Sequence, residues 1–136
     1  MPFATDSSIP PPSASPRAVA ESYWRAEERR DVEAVLGHFH EDAVFHPAGG
    51  PLVGHAQIRT FYDSMGDTFP GLRVAIVHEV TAGNEAALEW EATLIDRDGV
   101  EYPIRGVNLV RVRDGKFEQV TAYFDPTQFP VPGTGE

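Results

Sequence analysis

At 136 residues the chain is long enough for one domain with a core and a pocket, and too short for two independent lobes. It carries 21 acidic against 11 basic side chains, a formal charge of −10, so its surface repels phosphate backbones and anionic membranes; neither nucleic acid nor membrane is an expected partner. The absence of cysteine excludes disulfides and thiolate metal sites. No apolar run approaches the roughly 20 residues of a spanning helix, and the N-terminus lacks a basic leader. A cytoplasmic protein is the expectation.

Residues 1–14, rich in proline and serine, read as a flexible lead-in, followed by a single domain over 15–129 and a short tail over 130–136. Ser15 is an N-cap and Pro16 the first helical position. Val19, Tyr23 and Ala26 share one face of the helix that follows, which runs to about Arg30, with Glu27, Glu28, Arg29 and Arg30 crowding its far end. Asp31 caps a second helix in which Val32, Val35, Leu36 and Phe39 recur at helical spacing. A short strand, 43–47, precedes a glycine- and proline-rich loop at 48–54. Gly54 and Gln57 open a third helix with the stripe Ile58, Phe61, Tyr62, Met65 and Phe69, ended by Pro70-Gly71.

Four strand-like runs follow, 72–82, 85–95, 101–113 and 116–125, separated by tight glycine turns. Helices first and a bent sheet after them predict an α+β fold: a cone-shaped barrel of strongly bent antiparallel sheet packed on three N-terminal helices. Such a cone encloses an apolar hole with a few inward polar groups.

Alternation decides which groups those are. In the third long strand Ile104, Gly106, Asn108, Val110 and Val112 share a face, and Asn108 is its only strongly polar member. A buried amide without partners costs a few kcal/mol, so Asn108 is either knitted into the structure or aimed at a ligand. His78 shares a face with Leu72, Val74, Ile76 and Val80, as a core histidine or as a base on an apolar wall. His38, His40 and His55 read as solvated or capping groups, and the histidine spacing suggests no metal site.

Tyr23 eight positions before Asp31, the run Phe39–Phe45, Ile58-Arg59-Thr60-Phe61-Tyr62, and Gly115-Lys116 leading to Tyr123-Phe124-Asp125 together resemble the nuclear transport factor 2-like superfamily. Its members include ketosteroid isomerase, SnoaL-type polyketide cyclases and limonene epoxide hydrolase. The resemblance spans about Val19 to Phe129 and implies the same cone, though fold alone does not fix function. It places Tyr23 at the isomerase's oxyanion-hole tyrosine, Tyr62 at the tyrosine behind it, and Asn108, allowing one gap, at its protonated aspartate. Preorganised donors of this kind stabilise charge that appears only in the transition state, for which that isomerase is an established example.

His46 precedes Pro47 as the isomerase's base aspartate precedes a proline, a match that needs a one-residue gap. Without the gap Phe45 and Pro47 face inward and His46 points away. Against limonene epoxide hydrolase, Ala92 and Ala122 fall at the acids and Trp90 at the arginine, which disfavours that chemistry. Phe39, Phe45, Phe61 and Trp90 are expected in the pocket wall with Ala92, Ile104 and Val110. Val120, Ala122 and Phe124 complete it.

Two functions fit. One is a cofactor-independent isomerase, cyclase or dehydratase, with Tyr23, Tyr62 and Asn108 holding a substrate oxygen and His46 or His78 removing a proton from a hydrophobic ring compound. The other is a small-molecule-binding or scaffold domain. No cofactor or metal is expected. The outer sheet face, mixing Val107, Leu109 and Thr121 with Arg105, Arg111, Gln119 and Tyr123, points to a homodimer.

Overall fold

The computed structural model describes residues 9–47 and 49–128. Helices α1 (Pro16–Glu28), α2 (Val32–Leu36) and α3 (Gly54–Thr68) pack into the hollow of a six-stranded sheet formed by β1 (Phe39–His46), β2 (Leu52–Val53), β3 (Gly71–Ala82), β4 (Glu85–Ile95), β5 (Glu101–Arg113) and β6 (Lys116–Phe124). The strand order is β2-β1-β6-β5-β4-β3. The fold is α+β with a curled, open sheet. Two details differ from the sequence reading: β2 forms inside the expected loop, and β1 starts at Phe39 and pairs with β6 in parallel. Just before α1, Ala14 N–H donates to the Pro11 carbonyl at 2.9 Å in a local turn, and Ala14 packs against the core. The expected tail lies outside the described residues.

Local chemistry sets the ends of α1. The Ser15 hydroxyl accepts from Ala18 N–H at 3.1 Å, and Pro16 has no N–H to leave unpaired. At the other end Arg30 turns the chain at φ +55°, a left-handed conformation that costs a residue with a side chain about 1–2 kcal/mol. Asp31 then caps α2 by accepting from Ala34 N–H at 3.2 Å.

The inward faces of β4 and β5 alternate as pleating demands: Leu88, Trp90, Ala92 and Leu94 are buried from one strand, and Ile104, Asn108 and Val110 from the next. Burying a side chain such as Leu88 contributes about 1.5–3 kcal/mol. Edge strand β3 presents unpaired backbone that α1 covers. Arg25 Nη2 donates to the Val74 carbonyl at 2.7 Å, and Glu28 Oε2 accepts from Val74 N–H at 2.8 Å.

Register breaks in β3 where Ile76 pairs with Trp90 but His78 with Glu89, leaving Val77 as an extra residue. A bulge of this kind swaps the faces beyond it. His78 and Val80 are consequently exposed, and Glu79, opposite buried Leu88, takes the inward phase and bonds Arg17 at 3.3 Å.

Candidate active site

A cavity of about 510 Å³ lies between α1, α3 and the concave face of the sheet, a size suited to a small organic molecule. The loop before β2 contributes Pro47 and Pro51 to its lining, and β2 itself contributes Leu52.

Its helical wall carries the titratable groups. Tyr23 on α1 and Tyr62 on α3 are both buried, and their hydroxyls hydrogen-bond to each other. Neither ring has room to swing. Phe39 and Phe117 meet Tyr23 edge-on at 5.8 and 5.4 Å, and Phe45 stacks on Tyr62 at 5.7 Å with 12° between planes. One helical turn beyond Tyr23, on the same face, Glu27 also lines the cavity, with its side chain only 13% exposed.

Burial pushes the Glu27 carboxyl up to about 7 from the ordinary 4.5. The Arg30 charge and the Tyr23 hydroxyl act in the opposite direction without cancelling the desolvation, and Glu28 adds a little repulsion. Both phenols are held well above their usual value, by burial first and then by the Glu27 charge. They therefore stay neutral donors throughout the physiological range. The Tyr23 hydroxyl acts on Glu27 as well as on Tyr62; toward an ionised Glu27, which can only accept, Tyr23 is the donor, and Tyr62 then donates to Tyr23.

The sheet wall carries a neutral amide. Trp90 Nε1 donates to Asn108 Oδ1 at 2.9 Å. Indole is a donor only, so the amide oxygen must face it, and the amide orientation is fixed by chemistry. Among the described residues no protein acceptor takes the two protons left on Nδ2. Gly106, opposite Trp90 on β5, makes this arrangement possible: a Cβ there would sit 2.8 Å from Trp90 Cζ2 and 2.5 Å from the Tyr123 carbonyl.

Tyr23, Tyr62 and Asn108 thus share one cavity. His46 and His78 do not reach it. Phe45 takes the inward phase of β1, so His46, paired with Thr121, faces the other side of the sheet, in keeping with the ungapped reading. The bulge at Val77 puts His78 outside. Of the expected wall, Phe45, Phe61 and Trp90 line the cavity, as do Ala92, Ile104, Ala122 and Phe124; Phe39, Val110 and Val120 are buried in the packing around it. His38 is fully buried rather than solvated, with Nδ1 donating to the Ala34 carbonyl at 2.7 Å and Nε2 accepting from Ser22 Oγ at 2.7 Å.

Glu27 is the group that sequence reading passed over. Its signal was the four-residue spacing from Tyr23, hidden among neighbouring charges.

A family model described as a SnoaL-like domain matches residues 20–120. The chain belongs to the SnoaL-like domain family. Solved structures extend this. A Δ5-3-ketosteroid isomerase from Mycobacterium sp. is 25% identical, with 85% of this chain and 97% of that one covered and a TM-score of 0.73. A putative polyketide cyclase from Xanthomonas campestris pv. campestris is 24% identical, covering 83% and 92%, with a TM-score of 0.68. TerC, co-crystallised with polyporic acid, is 22% identical, covering 84% and 94%, with a TM-score of 0.72. No curated protein matches this SnoaL-like chain.

Proposed function

We propose that this SnoaL-like protein is a cofactor-independent proton-transfer enzyme of isomerase, cyclase or dehydratase type, acting on a hydrophobic ring compound with a carbonyl or phenol. The observation that carries the reading is a buried carboxyl beside two hydrogen-bonded phenols on one wall of an aromatic cavity, facing on the other an amide whose N–H groups have no protein acceptor among the described residues; burial pushes that carboxyl up to about 7. Relatives named as an isomerase and a polyketide cyclase support it.

In the reaction, ionised Glu27 takes a proton from the carbon beside the substrate carbonyl. The C–H electron pair becomes a new C=C bond and the carbonyl π pair moves to oxygen, where Asn108 Nδ2 donates. Protonation removes the Glu27 charge and so weakens its hold on the Tyr23 hydroxyl, whose proton then turns to the same oxygen with Tyr62 behind it. Return of the proton to a different carbon completes an isomerisation. In a cyclisation the enolate carbon attacks a second carbonyl, the π pair of that carbonyl moves to its oxygen, and the oxygen takes the proton back from Glu27.

The test compares wild type with Glu27→Gln, Tyr23→Phe and Asn108→Ala on a panel of ketosteroids and polyketide-derived anthrones. His46→Ala, outside the cavity, serves as a control expected to keep wild-type turnover. Turnover that survives the first three changes removes this assignment and leaves a binding domain.

The same reading includes a homodimer through the outer sheet face, where Leu109 and Tyr123 are 46% and 56% exposed. Light scattering of wild type and Leu109→Glu tests it, with a dimer expected for the first and a monomer for the second.

A further inference from the structure

Among the described residues, the one side-chain nitrogen or oxygen that is both shut off from any open space and without a hydrogen-bond partner is Arg30 Nε. Arg30 follows the end of α1 in the left-handed conformation, where glycine would be cheaper. Its side chain is 15% exposed. Nη2 donates to the Phe69 carbonyl at 2.5 Å, fastening the guanidinium to the end of α3, and Nη1 stands 3.9 Å from Glu27 Oε2. That separation is too long for a hydrogen bond and short enough for the charge to be felt.

We propose that Arg30 is a positioning residue for Glu27: its guanidinium, anchored on the Phe69 carbonyl, sets where the carboxylate sits and supplies the charge against which it ionises. This rests on Glu27 being the base. An arginine clamped on both carboxylate oxygens would occupy the lone pairs that a base needs. Held at 3.9 Å, Arg30 leaves them to Tyr23 and the substrate. Among the described residues no other cation acts on Glu27. Tyr23 and Glu28 approach from α1 and Tyr62 from α3, and the sheet contributes neutral Trp90 and Asn108 to the cavity. Burial also lowers the Arg30 pKa, but a guanidinium remains charged at working pH.

The test follows the Glu27 carboxyl directly by 13C NMR, from pH 5 upward, where the neutral acid leaves no unpaired anion. Arg30→Gln keeps a donor for Phe69 and removes the charge, and its Glu27 midpoint is expected to rise by about one unit or more. Arg30→Lys is expected to bring the midpoint back to within about half a unit of wild type, that difference reflecting lost geometry alone. A midpoint in Arg30→Gln equal to wild type overturns the proposal. If Arg30→Gln does not fold, the double variant Arg30→Gln/Glu27→Gln decides: the proposal expects folding to return once the stranded anion is gone, and a double variant that stays unfolded contradicts it. The readout is a titration and not turnover, so loss of the Glu27 base assignment in the substrate panel and loss of the Arg30 role register separately.

Discussion

The helical wall of the cavity carries protons that can move, on Glu27, Tyr23 and Tyr62, whereas the sheet wall offers one neutral amide pinned by an indole. The helical groups owe their state to burial, which raises all three pKa values, and to each other. Asn108 owes its orientation to a donor that cannot accept. The difference divides the labour: proton transfer needs a group whose charge changes easily, and holding an oxyanion needs a dipole that is already in place before reaction.

Breaking the helical side should cost most. Glu27→Gln keeps the shape and removes the base, and turnover of an active ketone substrate should fall by about 10³-fold or more. Removing the amide on the sheet side, Asn108→Ala, should cost about 10²–10³-fold in kcat, with little change in the pH profile, because Asn108 does not titrate. A mutant whose profile shifted instead would mean that the two walls are not independent.

Gly106→Ala sharpens the comparison without touching a polar group. The new methyl meets Trp90 and the Tyr123 carbonyl at 2.8 and 2.5 Å, so either the indole or the β5–β6 pairing must give. A loss of about 1–3 kcal/mol in denaturant unfolding is expected, with a change in Trp90 fluorescence and no change in the Glu27 titration.

The last effect is on the pH dependence of stability. The carboxyl of Glu27 is raised from 4.5 to about 7 on folding, so between those values the folded chain holds a proton that the unfolded chain has released. Stability from this group is full below the lower value and is lost as pH rises through the upper one. Glu27→Gln does not titrate, so relative to wild type it should gain on going from pH 5 to pH 8, by about 3 kcal/mol at most. Chemical denaturation at the two pH values measures it; an equal difference at both would place Glu27 in water.

How much of this was legible in the sequence depended on whether local pattern decided the matter. The bounds of β4 and β5 and the inward place of Asn108 follow from alternation, and the N-cap of α1 from Ser15-Pro16. His78 was misplaced because Val77 bulges without a glycine or proline to mark it. For His46, alternation and a gapped likeness gave opposite answers, and the observed strand follows alternation. Glu27 sat in a charged run that looks like a solvated helix end, and only the packing of α3 and the sheet over that end of α1 turns it inward. Tertiary burial of this kind leaves no periodic trace.

The most direct test is a 13C NMR titration of the Glu27 carboxyl in the wild-type protein. A midpoint near 7, well separated from the other carboxylates, is the predicted result. A midpoint near 4.5 would show an ordinary solvated glutamate and contradict the account of the cavity as a proton-transfer site.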